Sequence, residues 1–252
     1  MGNNQSQPPL NVKFIADFFN SLVAYKRILA KLSHNNVLSP VAIVHIEEAL
    51  LLKQLTEWEL FSYNILTYCT SLDTSQLSKT LNLALPPKLS FDNAQAILNG
   101  INFTSFSNIK ELNGLANKIL VKKYNPFAQF LRPMTKHVDE AIIIRNYIAH
   151  KSNSSKIKLM KVYKLYGIDG FIEPGEFIQT VRDFKINTFS FSSLCYVIFM
   201  TMVVFTWRIL DKESYLIAFP TTKTPFDIGV TKMYIMFNHL SEFKDPESPI
   251  NF

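Results

Sequence analysis

A chain of 252 residues, 48% of them hydrophobic, can bury a full core and reads as one large domain or a domain with an appendage. Two cysteines far apart, Cys69 and Cys195, each inside an apolar run, exclude a disulfide framework and a zinc-finger spacing. They read as buried free thiols in a reducing, cytoplasmic compartment. The net charge of +6 is uneven: residues 1–166 carry 19 Lys/Arg against 10 Asp/Glu, whereas residues 167–252 carry 7 against 10.

Only 7 glycines, and apolar residues recurring about every 3.5 positions, point to an all-α chain. Met1-Gly2-Asn3-Asn4-Gln5-Ser6 fits the N-myristoylation pattern, but that pattern is short and acts only where the transferase exists. The polar, proline-containing start carries no secretory signal. From Asn11 to Leu32, Phe14, Phe18, Leu22, Tyr25, Leu29 and Leu32 mark an amphipathic helix, set apart as an N-terminal segment over residues 1–34. Ser39-Pro40 begins a second helix, with a capping hydroxyl and proline in the first turn. It runs through Leu50, Leu55, Trp58, Phe61 and Leu66 to Cys69, with an interruption allowed for. Pro86-Pro87 sits in a loop of about fifteen residues, since proline cannot continue a helix interior. Shorter helices are expected over Ser90–Gly100 and Ser107–Lys122, the latter ended by Asn125-Pro126.

Another helix is expected from Met134 to about Ala149. One stripe of it is Met134, Val138, Ala141, Arg145 and Ile148, so Arg145 interrupts an apolar face. A guanidinium there is costly unless it is paired or faces a polar cleft. His150, five positions on, lies about 140° round the helix, so the two side chains do not converge on a straight helix. They meet if the helix ends there or if a two-fold mate supplies the other half. A second Arg/His pair at the same spacing, Arg132 and His137, is read as surface residues, with Pro133 placing Arg132 outside the helix.

After Lys151-Ser152-Asn153-Ser154-Ser155, the stretch to Tyr166 holds Lys151, Lys156, Lys158, Lys161 and Lys164 and no acid. Such a run is either a solvated face or a polyanion contact. Gly167–Gly170 and Pro174-Gly175 make a loop, and Thr188–Leu210 a strongly apolar helix. Twenty uncharged residues, Thr188–Trp207, could span a bilayer. Their Thr-Phe-Ser-Phe-Ser-Ser start and amphipathic continuation instead favour a buried central helix and no membrane partner. Short β-prone runs such as Tyr215–Phe219 and Val230–Phe237, among Pro220, Pro225, Pro246 and Pro249, read as a small irregular, partly β-containing appendage over residues 214–252. The main helical domain covers residues 35–213.

The apolar run Ile142-Ile143-Ile144-Arg145-Asn146-Tyr147-Ile148-Ala149-His150 resembles the signature of the HEPN superfamily, an apolar helix ending in Arg-Asn-x-x-x-His. Thr56-Glu57-Trp58-Glu59-Leu60-Phe61 looks like the Trp-Glu-bearing first long helix of its ribonuclease-like prokaryotic branches. The resemblance covers roughly residues 35–215. It implies a helical bundle that dimerises so that both copies of Arg145 and His150 face one cleft. It also implies a metal-independent endoribonuclease, a toxin or abortive-infection effector in phage defence, with an antitoxin or regulatory protein as a further partner.

The residue types fit that chemistry. His150 can take the proton of a ribose 2′-hydroxyl, and Arg145 can stabilise the charge on the transition state through paired hydrogen bonds. The products would be a 2′,3′-cyclic phosphate and a 5′-hydroxyl. Asn146 would orient His150 or hold a phosphate oxygen. Lys151, Lys156, Lys158 and Lys161 would bind RNA, and Tyr147 would stack on a base or belong to the core. In the competing reading Arg145 forms a structural ion pair with Glu59, Asp139 or Glu140 and His150 caps the helix, leaving a silent module for nucleotide or protein binding. No metal and no cofactor is expected: His45-Ile46-Glu47-Glu48 lacks a second histidine at ligand spacing, and no glycine-rich phosphate loop or serine elbow occurs.

Overall fold

The computed structural model describes residues 13–33, 38–101, 108–130, 132–179, 182–183, 188–189 and 191–210. The chain is all-α over these residues apart from one minimal strand pair. The expected appendage and the Gly2 pattern lie outside them. Helix α1 spans Lys13–Ser33 and α2 spans Pro40–Leu72, 33 residues without interruption. Ser39 caps α2 by accepting the Ala42 amide at 3.2 Å, and Pro40 fills the first position, where a missing N–H costs no helical bond. Then follow α3 (Ser75–Leu81), α4 (Phe91–Gly100) and α5 (Ile109–Ile119). Ser90 caps α4 and Asn108 caps α5, each accepting an amide three residues on. Two 3-10 turns, Lys122–Tyr124 and Pro126–Gln129, lead to α6 (Arg132–His150) and α7 (Asn153–Leu165). Last come α8 (Pro174–Gln179), an antiparallel pair β1 (Arg182–Asp183) and β2 (Thr188–Phe189), and α9 (Phe191–Leu210).

The structure departs from the sequence expectation at α3, at α8 and at Thr188–Phe189, which is strand and not the start of α9, and it adds α7. Within the Pro86-Pro87 region α3 forms first, capped by Asn82 in the left-handed conformation (φ 53°) that asparagine tolerates. The lysine run after His150 is helical, because Ser152 caps it by accepting the Ser155 amide at 3.2 Å. The second half of the Gly/Pro loop forms α8. Gly175 is obligatory there: a Cβ would stand 2.4 Å from Val44 Cγ1 and 2.6 Å from the Val44 carbonyl oxygen.

The bundle closes around α2 and α9. Helix α2 packs on α1, α4, α6 and α8, and α9 on α1, α6 and α8. Aromatic rings lock the seam. Phe18 of α1 stacks on Phe61 of α2 at 4.9 Å between centroids, and Trp58, with no solvent exposure, stacks on Phe199 of α9 at 5.9 Å. A second node joins Tyr163, Phe177 and Phe191 at 4.7 and 5.4 Å, tying α7, α8 and α9 together. Fully burying each such ring contributes about 2–3 kcal/mol. Helix α1 thus shares the main core. Among the described residues no helix is long and apolar enough to cross a membrane. The most apolar, α9, is wrapped by its neighbours. Cys69 and Cys195 are free and buried, and burial pushes both thiols up from their ordinary value.

Candidate nucleic-acid interface

Helix α6 carries the residues of interest and presents two faces. Met134, Val138, Ala141, Ile142 and Ile144 enter the core. Arg145 continues that stripe but is only half-buried, and its Nη2 donates to Glu59 Oε1 of α2. The side chains of the pair are 24% and 31% exposed, so solvent reaches both partners. The Arg145 Nε is buried and lacks a hydrogen-bond partner. One carboxylate therefore fixes the guanidinium while leaving part of its donor fork unused.

His150 is the last residue of α6 and is exposed, with no hydrogen-bond or ion-pair partner among the described residues. The helix stops there because Lys151 takes a left-handed conformation (φ 45°), closing the end with its amide on the Tyr147 carbonyl at 2.8 Å. Arg145 is thus turned towards α2 and His150 towards solvent, as their 140° separation requires. Asn146 is half-buried, and its side chain makes no hydrogen bond among the described residues, to His150 or otherwise. Of the two readings for Tyr147, its position favours the core. It is 9% exposed and its ring meets Phe171 edge-on at 5.6 Å, so it belongs to the core and offers no free face to a base.

Helix α7 folds back along α6, bringing Tyr166 beside Glu140, where its hydroxyl donates to Oε2 at 2.6 Å. Only Ser155, Leu159, Val162 and Tyr163 of α7 are buried. Lys151, Lys156, Lys158, Lys161 and Lys164 are all exposed. Lys156 lies over the Phe171 ring at 4.1 Å, and exposed Ile157 and Leu165 interrupt the cationic surface. Two shallow clefts flank the helix. One of about 460 Å³ lies against α6; another of about 580 Å³ is lined by Lys156, Ile157, Met160, Lys161 and Phe171.

The Arg132/His137 pair needs two corrections. Arg132 is the first residue of α6, because Pro133 in a first turn removes no intrahelical bond. His137 is no surface residue: its side chain is 15% exposed, and Nδ1 lies 2.9 Å from Glu140 Oε2 and 3.1 Å from the Tyr166 hydroxyl. The His137/Glu140 part was available from their i, i+3 spacing on a helix. Tyr166 was not, since its place depends on α7 folding back. Burial opposes ionisation of Glu140, but hydrogen bonds from His137 and Tyr166 and the charge of Lys136 outweigh it and hold the carboxyl below its ordinary value. Its neighbour Asp139 is shifted the other way. Burial raises it more than the 2.7 Å hydrogen bond from the Ile109 amide lowers it.

Among the described residues no group of three or more His, Cys, Asp or Glu side chains is placed to hold a metal ion. No family model matches the chain, and no curated protein or solved structure matches it either.

Proposed function

We propose that this chain is a metal-independent endoribonuclease of the HEPN type, working as a homodimer in which Arg145 of one protomer and the partner's His150 share a cleft. The observation that carries the reading is His150, exposed at the end of α6 with its side chain unpartnered among the described residues, where the competing reading has it capping the helix. The two segments that resemble the superfamily, 86 residues apart in sequence, meet through their charged residues. A half-exposed arginine aimed by a carboxylate is poised for a phosphate. The histidine at the helix end is open to a substrate, and the cations of α7 follow at once.

In the reaction His150 accepts the proton of the 2′-hydroxyl as its oxygen attacks the adjacent phosphorus. Arg145 stabilises the charge of the five-coordinate transition state. The bond to the 5′-oxygen breaks, a proton is delivered to that oxygen, and the strand ends are a 2′,3′-cyclic phosphate and a 5′-hydroxyl. The requirement for a 2′-hydroxyl selects RNA over DNA. The biological setting we infer is growth arrest as a toxin or defence effector, held in check by a partner protein. Incubation of total RNA with the protein in EDTA tests the reading. Cleavage should fall by at least about 100-fold in Arg145→Ala and His150→Ala; undiminished cleavage in both removes these residues from the site.

The Arg145–Glu59 ion pair favours a second reading, a silent module in which Glu59 neutralises Arg145 for structural reasons. That reading predicts no cleavage and no growth arrest from the wild type.

A further inference from the structure

The cleft of about 460 Å³ between α6 and α7 is separate from the Arg145/His150 pair and contains a feature that the fold leaves unfinished. Its walls are Ile143, Val162 and Leu165, with Asp139 and Glu140 on one side and Lys136, Lys158 and Lys161 around it. The volume lies within the roughly 300–1,000 Å³ of clefts that hold small molecules. Glu140 is 4% exposed. Its Oε2 is saturated by Tyr166 and His137, but Oε1, also buried, has no hydrogen-bond donor. Lys136 Nζ stands 3.7 Å away, close enough for charge but beyond hydrogen-bond reach. A buried carboxylate oxygen without a donor costs free energy that a ligand N–H would recover. Asp139 offers acceptor capacity beside it, since one of its oxygens already serves the Ile109 amide and a carboxylate has about four lone-pair sites.

The ligand that fits is flat and apolar-faced, presents adjacent N–H donors at one edge, and carries negative charge at the other. Among nucleobases, guanine has that edge in N1–H and its 2-amino group. Uracil would turn carbonyl oxygens towards the two carboxylates, and adenine and cytosine place an acceptor beside their amino group. Lysines 136, 158 and 161 suit the attached phosphates. Asp139 and Glu140 precede His150 by roughly 15 Å along α6 at about 1.5 Å per residue, a distance that a single strand spans in a few nucleotides.

We propose that this cleft is a base-reading subsite that takes a guanine of the RNA substrate, setting which phosphate reaches Arg145 and His150. The proposal rests on the ribonuclease reading. Binding by the intact chain carrying His150→Ala separates the two, because it needs no cleavage. The probes are single-stranded RNAs identical except for one position holding guanosine, inosine or uridine, with GMP, IMP and UMP as free competitors. Inosine lacks only the 2-amino donor. Guanosine RNA should bind about tenfold tighter than inosine RNA, within the range of one specific base contact. Asp139→Asn keeps an acceptor for the Ile109 amide and should narrow that preference without abolishing binding. Equal affinity for all three RNAs would overturn the subsite and leave the ribonuclease reading standing. RNA left unbound while GMP is preferred over IMP would overturn the RNA source in favour of a free nucleotide. RNA and mononucleotides both unbound would overturn the subsite and its premise together.

Discussion

Helices α7 and α9 belong to the same bundle and use their residues in opposite ways. In α9, Phe191, Leu194, Ile198, Phe199, Met202, Val203 and Trp207 are all buried, and the helix packs on α1, α2, α6 and α8. In α7 a narrow line of four residues is buried, and every lysine stands in solvent. The free energy of folding is therefore concentrated where α9 meets α1 and α2. The charges of α7 contribute little to it, since exposed ion pairs and solvated cations are worth at most about 1 kcal/mol each. Charges that folding does not require are open to selection for binding, which is why α7 and the end of α6 are the place to look for function.

The sharpest way to break this contrast is to damage each helix in turn. Phe199→Ala, or Trp58→Ala opposite it, should lower stability by about 3–5 kcal/mol, read as a shift in denaturant midpoint. The triple change of Lys156, Lys158 and Lys161 to glutamate should move the midpoint by no more than about 0.5 kcal/mol per site while abolishing RNA retention at low salt. A collapse of stability in the lysine variant would make α7 part of the structural frame and remove the contrast.

Glu47 sharpens the same contrast from the core side. It is 8% exposed near the start of α9, burial raises its pKa above the ordinary carboxylate value, and its Oε2 has no hydrogen-bond partner. An acid with a raised folded-state pKa binds more protons folded than unfolded, so its contribution to stability declines as pH rises through that window. Glu47→Gln should raise the melting temperature at pH 7, and the gain should shrink as pH falls from the raised folded-state value towards about 4.5, below which both states are protonated. A loss of stability at pH 7 would show that the carboxylate is held by more than its hydrogen bond with the Ser192 side chain.

The smallest expected effect divides stability from binding at a single residue. Lys151 is a non-glycine residue at φ 45°, a conformation glycine adopts without steric cost. Lys151→Gly should stabilise the fold by about 0.5–1 kcal/mol and at the same time weaken RNA binding through the lost charge. Thermal melting and anisotropy on one preparation would separate the two.

How much of this was legible in the sequence depends on the range of the interaction. Caps and periodicity are local, so Ser39-Pro40, the helix beginning near Ser90 and the Phe18/Leu22/Tyr25 stripe could be read directly. Helix α3 and α8 could not, because each is short and forms only against its neighbours; Gly175 is explained solely by Val44, on another helix. In the site, the end of α6 at His150 followed from Lys151-Ser152-Asn153. The Arg145 partner required choosing among Glu59, Asp139 and Glu140, which only packing decides. The burial of His137 is not legible locally, because it depends on Tyr166, 29 residues on. Proline after Arg132 does not exclude Arg132 from the helix, since a first turn accepts it.

The central claim is that one protomer holds half of a site, with Arg145 turned to α2 and His150 to solvent. Mixing Arg145→Ala and His150→Ala protomers after co-refolding tests it directly. Random pairing puts about half of the dimers in mixed form, each with one intact Arg/His pair across the interface. RNA cleavage in EDTA should then recover to roughly a quarter of wild type, although neither variant cleaves alone. Two inactive variants that stay inactive when mixed, with mixed dimers verified by mass spectrometry, would contradict a shared site.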